Sequence, residues 1–200
     1  MQLDDTIQVK INNILHEAPP FILDTERNDE VTREIAICKS DSGINGSRLA
    51  MAHLDLGRRI GQRIKTVFPN RNTAVLVLDR GGRFFGDGVY IGFGGQLFPY
   101  NPKKDDYPLI KGNQILIVDS VINTGKSTLS LIEKLKANNP KAQFCIVSNV
   151  IQKGALSVLK DHTVYAVRVS ANKFVGKRQA KQVGNTGPDT ADRLFNLIPH

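Results

Sequence analysis

The chain has 200 residues, 40% of them hydrophobic and 23% charged, which is typical of one globular domain with a sizeable core. Its 27 Lys and Arg against 19 Asp and Glu give a formal charge of +8, favouring an anionic partner such as nucleic acid or a phosphorylated small molecule. The two cysteines, Cys38 and Cys145, form no CxxC pattern, which argues against a disulfide framework or zinc site. The acidic start, without an apolar run of about 18 residues, predicts a soluble cytoplasmic protein.

The first part of the chain predicts two helices. Helical spacing of apolar residues runs over Gln8–His16, and Asp41–Gly46 follows as a loop. A longer helix is predicted over Ser47–Phe68, with Ser47 as its N-cap and Pro69 as its stop. We expect one domain over residues 1–200, in which residues 1–46 form an N-terminal extension or hood element.

The remainder alternates predicted strands with predicted helices. Strands are predicted at Ala74–Leu78, Ile115–Val118, Phe144–Val150 and Val164–Val169. Helices are predicted at Gly125–Asn138 and around Gly154–Leu159. Because near-continuous apolar strands separated by helices are typical of a parallel sheet covered on both faces, we predict an α/β fold.

A long stretch rich in Gly, Pro and charge, Gly92–Gly112, separates the first two of these strands. It is compatible with a hairpin whose mobile tip is Asn101–Asp106, or with a long solvated connection. Long loops in compact domains are often functional lids, so the stretch is a candidate flap.

The segment ILIVDSVINTGKST, Ile115–Thr128, is compatible with two phosphate-binding sites. A nucleotide-binding P-loop needs G-x-x-x-x-G-K-[ST], and Gly125, Lys126 and Ser127 match its second half, but Ser120 replaces its first glycine. The other candidate is a loop that binds a ribose phosphate. Asp119 favours the second, because a carboxylate beside a phosphate is repulsive unless it binds something else, such as two ribose hydroxyls.

The position of this segment also predicts how it binds phosphate. Ligands of a parallel α/β sheet bind beyond the carboxyl ends of its strands, where helix N-termini offer amides and a positive dipole end. Hydroxyls of the following residues would add donors to those amides, and Gly125 allows close backbone approach. The residues at this junction are Asn123, Thr124, Gly125, Lys126, Ser127 and Thr128.

Ile115–Thr128 resembles the phosphoribosyl pyrophosphate (PRPP) signature of the type I phosphoribosyltransferases: an apolar strand, Asp, a variable residue and T-G-x-[ST]. The single acid before Ser120 is similar to the uracil phosphoribosyltransferase branch. Two further segments resemble that branch in the same order. They are LDRGGRFFGDGV, Leu78–Val89, and GPDTADRLFN, Gly187–Asn196.

The resemblance implies the type I phosphoribosyltransferase fold, a mostly parallel twisted sheet flanked by helices, with a flap or hairpin and a C-terminal base-recognition segment. It implies transfer of ribose 5-phosphate from PRPP to a nucleobase, with uracil giving UMP as the expected case, and release of pyrophosphate. Mg²⁺ would be carried with PRPP and contacted by Asp189. A homodimer is implied, while a membrane or nucleic-acid partner is not expected.

The resemblance also assigns residues. Asp189 and Asp119 are the catalytic candidates, and the base would be bound by Val183, Pro188, Asp189 and Thr190. Arg80 with Gly81 and Gly82 would bind pyrophosphate. The full predicted PRPP-binding set is Arg80, Gly81, Gly82, Asp119, Ser120, Val121, Ile122, Asn123, Thr124, Gly125, Lys126, Ser127, Thr128 and Asp189.

Two departures from the family pattern keep alternatives open. The family flap carries an arginine, whereas none lies between Arg83 and Arg168, so Lys103 or Lys104 would substitute as a point charge. The segment before Asp189 is KRQAKQVGNTGP, which leaves the base open. One alternative is a non-enzymatic relative that binds a nucleotide or RNA. The other is a P-loop NTPase, for which Asp79 is the one available strand-end acid.

Overall fold

The protein is described by a computed structural model that covers residues 20–25, 28–68, 72–105, 108–173 and 175–198. These residues form a six-stranded, entirely parallel sheet with the strand order β1-β6-β5-β4-β2-β3. The six strands are β1 (Phe21–Ile22), β2 (Thr73–Leu78), β3 (Gln96–Tyr100), β4 (Gln114–Ile122), β5 (Gln143–Gln152) and β6 (Thr163–Ser170). A further parallel pair near the C-terminus consists of β7 (Val175–Lys177) and β8 (Thr186–Pro188).

The central strands are apolar on both faces because helices cover both sides of the sheet. Successive residues of each strand point to opposite faces, so each face carries its own row of side chains across the register. One row packs into the first core cluster: Val77, Val118, Val147 and Tyr165. The neighbouring row packs into the second core cluster: Leu76, Ile117, Ile146 and Val164.

Six α-helices connect or flank these strands in the described residues. They are α1 (Asp29–Cys38), α2 (Gly46–Val67), α3 (Arg83–Phe93), α4 (Lys126–Asn138), α5 (Lys153–Val158) and α6 (Thr190–Leu194). Helices α2 and α3 pack with their backbones unusually close. A Cβ on Gly57 of α2 would lie 2.2 Å from the Phe85 carbonyl oxygen of α3, and a Cβ on Gly88 would lie 2.1 Å from the Leu54 carbonyl oxygen. This contact therefore requires glycine at both positions.

The predicted α/β architecture is confirmed, and the predicted strands and helices agree with the observed ones to within a few residues. Strand β4 exceeds its predicted bounds the most, because it continues beyond Val118 through Asp119 to Ile122. The assignment of Ser47 as N-cap is wrong, because α2 begins at Gly46 and Asn45 holds the N-cap position. The helix predicted over Gln8–His16 lies outside the described residues.

The glycine-rich stretch Gly92–Gly112 does not form a hairpin in its described residues. Gln96–Tyr100 is the edge strand β3, which pairs in parallel with β2, and the chain then turns at Asn101. The Asn101 carbonyl accepts from the amides of Lys104 and Asp105, which closes that turn. The turn brings Lys103 over the carboxyl end of the sheet.

The first strand and the last pair of strands are connected to β6 in different ways. Strand β1 pairs with β6 at the opposite edge from β3, and α1 packs on α2. The β7–β8 pair follows β6 directly and leads into α6. Whether residues 1–46 act as a hood element stays a prediction. No described helix is both long and apolar enough to span a bilayer.

Candidate functional site

Two adjoining cavities lie at the carboxyl end of the sheet, on either side of the end of β4. The first cavity has a volume of about 300 Å³ and the second about 270 Å³. Ser120, Val121, Asn123 and Thr190 line both cavities, so one ligand can extend from one into the other. Eight of the predicted site residues line the first cavity: Arg80, Gly81, Asp119, Ser120, Val121, Asn123, Asp189 and Thr190.

The turn after β2 supplies one wall of the first cavity. Its Asp79–Arg80 peptide bond is cis, and Gly81 lines the cavity. Gly82 does not line either cavity. A Cβ on Gly82 would lie 2.4 Å from the Leu78 carbonyl oxygen, so Gly82 serves the tight entry into α3. Lys103, one of the two lysines predicted to replace the flap arginine, lines the first cavity opposite this turn.

Asp119 lies within β4, where it pairs with Ser148 of β5, and its half-buried side chain lines the first cavity. Burial raises the pKa of Asp119 to about 7, although hydrogen bonds from the backbone amides of Val121 and Ser120 partly oppose the rise. A carboxyl group with this pKa changes charge near neutral pH. It can accept hydrogen bonds from two neighbouring hydroxyls once it is ionised.

Ser120 is fully buried and ties β4 to the Arg80 turn. Its hydroxyl donates to the Gly81 carbonyl oxygen over 2.6 Å, and its Oγ lies 3.3 Å from Nδ1 of His53. The next residue but one, Ile122, is buried in the second core cluster and lines the second cavity. Ser120 and Ile122 are therefore buried parts of the cavity walls. Val121 between them is half-buried and lines both cavities.

The predicted phosphate loop leads from β4 into α4. Gly125 has φ +73° at the N-cap of α4, a left-handed conformation that favours glycine, and a Cβ there would lie 3.0 Å from Cγ of Leu159. Asn123, Thr124, Lys126 and Ser127 are exposed, whereas Thr128 is buried and only 4% exposed. The first-turn amides of α4 have no intrahelical partner, so the loop can bind a phosphate through backbone and hydroxyl donors.

Asp189 has two roles in the geometry of the site. It is the N-cap of α6, where Oδ1 accepts from the amides of Ala191 at 2.9 Å and Asp192 at 3.2 Å. The same side chain lines the first cavity together with Asp119. Its other oxygen, Oδ2, faces Gly176 of β7, where an added Cβ would lie 3.0 Å away.

The remaining predicted base-binding residues divide between the cavities and the surface. Thr190 lines both cavities. Val183 is 75% exposed in the turn between β7 and β8, where it bridges Thr186, and it lines neither cavity. Pro188 is buried in β8 and also lines neither cavity.

The described residues supply only some of the ligands that a magnesium ion needs. Among the described residues, no group of three or more His, Cys, Asp and Glu side chains is arranged to hold a metal. Asp119 and Asp189 do face the same cavity, and Mg²⁺ often binds through one or two carboxylates together with substrate oxygens. The residues present therefore fit an ion that arrives with a polyphosphate.

The second cavity is lined by polar residues that the sequence analysis missed. Asn149 of β5 is 3% exposed, and its Oδ1 is buried without a hydrogen-bond partner among the described residues. Arg168 of β6 lines the same cavity, and its Nε is also buried and unpartnered there. A signal was available in the sequence, because each of these polar residues interrupts an otherwise apolar strand.

His53 of α2 connects the two cavities through hydrogen bonds. Its ring lies 3.3 Å from Ser120 Oγ and, through Nε2, 3.3 Å from Asn149 Nδ2. Burial, reinforced by the positive charges of Arg193 and Arg168, lowers the pKa of His53 to about 3. The imidazole is therefore neutral at physiological pH, with one ring nitrogen as a donor and the other as an acceptor.

Arg193 anchors the loop that closes the second cavity. Its buried guanidinium donates to the carbonyl of Ile44 at 2.9 Å, the hydroxyl of Ser42 at 3.1 Å and, more weakly, the carbonyl of Cys38 at 3.5 Å. Burial lowers the pKa of Arg193. The two residues of the D-R pair in the C-terminal motif thus have different contacts. Asp192 contacts the Arg80 turn, and Arg193 binds the loop after α1.

Comparison with known proteins identifies the fold. No protein-family model matches the chain, and no curated protein matches it significantly. The AQ2163 protein from Aquifex aeolicus superposes with a TM-score of 0.61 at 12% identity, over 86% of this chain and 94% of that one. The orotate phosphoribosyltransferase from Mycobacterium tuberculosis, in complex with inorganic phosphate, superposes with a TM-score of 0.53 at 12% identity, over 72% and 98%.

These similarities confirm the predicted type I phosphoribosyltransferase fold, with its mostly parallel six-stranded sheet and flanking helices. At 12% identity they establish the fold alone. A shared fold supports many activities, so the function has to be argued from the residues of the two cavities.

Proposed function

We propose that the protein is a phosphoribosyltransferase that transfers ribose 5-phosphate from PRPP to a nucleobase and releases pyrophosphate. The observation that carries the proposal is the first cavity, which is lined by Asp119, Asp189, Arg80 and Lys103 and by Asn123, the residue that leads toward α4 at Lys126. Two carboxylates, two cations and a phosphate loop are the groups needed to bind a ribose that carries a phosphate at one end and a pyrophosphate at the other.

The phosphate loop and Asp119 would hold the ribose 5-phosphate part of PRPP. The exposed hydroxyls of Thr124 and Ser127 and the first-turn amides of α4 donate to the 5-phosphate. Asp119 lies in β4 before the loop, and its carboxylate would accept from the ribose hydroxyls. Lys126 is exposed beside the phosphate and adds a positive charge.

The Arg80 turn would hold the pyrophosphate. Arg80 and Lys103 line the first cavity and supply positive charge, and Gly81 lets the backbone approach closely. Mg²⁺ bound to the pyrophosphate would be contacted by Asp189, which retains Oδ2 for this purpose because Oδ1 is engaged in the helix cap. Such an ion would neutralise negative charge on the leaving group.

The transfer is then governed by position and electrostatics. Positive charge develops on the ribose as its bond to pyrophosphate breaks, and the nucleobase nitrogen supplies the electron pair for the new bond. Asp119 and Asp189 stabilise the developing positive charge from the cavity wall, while Arg80 and Lys103 stabilise the leaving pyrophosphate. A covalent intermediate with the protein is not required.

Within this class we favour the uracil phosphoribosyltransferase branch, with UMP as product. The support is the single acid of the PRPP-like loop, since Ser120 follows Asp119 and binds the Gly81 carbonyl, where many members carry a second acid. A homodimer remains part of this proposal. The flap and base-recognition segments depart most from the branch, so the base is the feature that most needs measurement.

Pyrophosphate release tests the proposal. Purified protein, PRPP and Mg²⁺ are incubated with each common nucleobase, and pyrophosphate and nucleotide are quantified. We expect base-dependent release of pyrophosphate in equal amount to the nucleotide formed, with uracil as the best acceptor. PRPP binding without turnover for any base would instead favour a non-enzymatic nucleotide-binding regulator, and absence of PRPP binding would reject the proposal.

A further inference from the structure

Two residues that line the second cavity, Asn149 and Arg168, each carry a buried polar atom without a hydrogen-bond partner among the described residues. Asn149 Oδ1 can only accept a hydrogen bond, and Arg168 Nε–H can only donate one. Both atoms are buried and have no partner in the described residues, although buried polar atoms in proteins are almost always paired. Both residues line the cavity that adjoins the first one. A bound group with one donor and one acceptor would satisfy both atoms.

The orientation of the Asn149 amide follows from a chain of hydrogen bonds that starts at the Arg80 turn. The Gly81 carbonyl can only accept, so the single proton of Ser120 Oγ points to it, at 2.6 Å. Ser120 Oγ must therefore accept from Nδ1–H of His53. Asn149 Nδ2 lies 3.3 Å from Nε2 and 3.5 Å from Nδ1 of His53. Since the neutral ring carries its proton on Nδ1, Nε2 is the acceptor to which Asn149 Nδ2 donates. This contact turns the amide nitrogen toward His53 and leaves Oδ1 without a hydrogen-bond partner among the described residues.

We propose that Asn149 and Arg168 recognise the acceptor base, and that this base carries an N–H next to a carbonyl, the lactam edge found in uracil, hypoxanthine and guanine. The base N–H donates to Asn149 Oδ1, and its carbonyl accepts from Arg168 Nε–H. The inference rests on the proposed function, because the adjoining first cavity would hold the ribose to which this base becomes joined.

The charge of the second cavity selects the lactam edge over the amino edge of cytosine or adenine. An amino edge also has a donor and an acceptor, but its acceptor is a ring nitrogen with one lone pair. A carbonyl oxygen has two lone pairs and a larger partial negative charge, so a cation favours it. The charged residues that line the cavity are three cations and one anion: Lys39, Arg168, Arg193 and Asp41.

The volume of the second cavity also fits a single base. At about 270 Å³ it lies just below the range of about 300–1,000 Å³ that is usual for drug-sized ligands. A free base is smaller than such ligands. Val121 lines both cavities and offers an apolar contact at the junction where base and ribose would meet.

Matched nucleotide pairs test the inference. UMP and CMP differ only in the edge at issue, and so do IMP and AMP. Titration calorimetry measures the dissociation constants of all four, and of ribose 5-phosphate, which has no base. We expect wild-type protein to bind UMP about tenfold or more tightly than CMP, and IMP likewise over AMP. Equal affinities, or a preference for the amino bases, would overturn the inference.

Asn149→Leu replaces the amide by an apolar group of similar shape. We expect it to reduce both preferences to within about twofold while leaving ribose 5-phosphate affinity unchanged. Asn138→Leu is the matched control, because Asn138 is exposed at the far end of α4, roughly 20 Å from the phosphate loop. Retention of the wild-type preference by folded Asn149→Leu would remove Asn149 from base recognition.

Two further measurements keep the outcomes separate. If Asn149→Leu does not fold, Arg168→Met replaces it and should lose the same preferences. If wild-type protein does not bind ribose 5-phosphate, the proposed function fails, and uridine against cytidine then tests the second cavity alone. Tighter binding of uridine would sustain the base recognition in that case, and equal binding or none would overturn it.

Discussion

Arg80 and Asp192 are 112 positions apart in the chain, yet Arg80 Nη2 donates to Asp192 Oδ1 over 2.9 Å. The contact joins the turn after β2 to the C-terminal helix α6. Ser120 reaches the same turn from β4 through the Gly81 carbonyl. The three segments that resemble the phosphoribosyltransferase family are thus connected by direct hydrogen bonds around the first cavity.

We predict that Asp192→Asn weakens PRPP use more than it weakens the fold. The Arg80 side chain is 52% exposed, and an ion pair this exposed contributes at most about 1 kcal/mol to stability. Loss of the carboxylate nevertheless removes the contact that holds Arg80 beside the proposed pyrophosphate site. KM for PRPP should rise several-fold with the melting temperature nearly unchanged, as measured by steady-state kinetics and thermal unfolding.

Arg80→Met is the companion variant, because it removes the contact to pyrophosphate itself. A charge-assisted hydrogen bond contributes roughly 1.5–3 kcal/mol, so its effect on KM should exceed that of Asp192→Asn. If Asp192→Asn leaves KM unchanged while Arg80→Met raises it, Arg80 acts without its partner and the positioning role of Asp192 is rejected.

The affinity for PRPP should depend on pH through Asp119. Its pKa of about 7 means that the carboxylate, which we propose accepts from the ribose hydroxyls, is lost as the pH falls from 8 to 6. Wild-type affinity should therefore fall by about tenfold over this range. PRPP itself titrates nearby, so the measured quantity is the ratio of wild-type to Asp119→Asn affinity by calorimetry. A ratio that stays constant from pH 6 to pH 8 would contradict the assignment.

Asp119→Asn should also stabilise the protein at high pH. The folded pKa of about 7 lies above the unfolded value of roughly 3.9, so the folded state binds the extra proton. This contribution is fully present below pH 4 and is lost as the pH rises through 7. Urea unfolding should find the variant more stable than wild type at pH 8 and similar at pH 4. The reverse order would mean that Asp119 is ionised and favourably paired in the fold.

Two substitutions separate the cap role of Asp189 from its proposed catalytic role. Asn caps helices about as well as Asp, so Asp189→Asn should keep the stability of wild type, whereas Asp189→Ala should lose about 0.5–2 kcal/mol. Both variants lose the charge beside the ribose, so both should lower kcat more than they raise KM for PRPP. Normal kcat in Asp189→Asn would leave Asp189 as a helix cap alone.

Lys126 distinguishes the ribose-phosphate loop from a P-loop. In the proposed function Lys126 is an exposed neighbour of the 5-phosphate, so Lys126→Ala should keep PRPP binding with only a moderate loss of affinity. A P-loop lysine contacts the β- and γ-phosphates and is required for ATP binding. Calorimetry with ATP and with PRPP compares the two. Strong ATP binding that disappears in Lys126→Ala, without PRPP binding, would establish the P-loop alternative.

The features that could be predicted from the sequence are those that depend on neighbours along the chain. The apolar runs of β4 and β5 predict buried parallel strands, because a strand covered on both faces must be apolar at consecutive positions. The order strand, Asp119, Gly125 and α4 predicts a phosphate loop, because the left-handed turn and the helix amides are local.

The features that only the tertiary structure decided depend on residues far apart in the chain. Gln96–Tyr100 pairs in parallel with β2, although the sequence left this stretch open between a hairpin and a long solvated connection, because the sequence does not specify which edge a strand joins. The orientation of Asn149 is set by His53, which lies 96 positions away in the chain and in turn contacts Ser120, 67 positions from His53. The spacing of residues along the sequence does not predict such contacts, because these hydrogen bonds form only after the sheet and α2 have packed together.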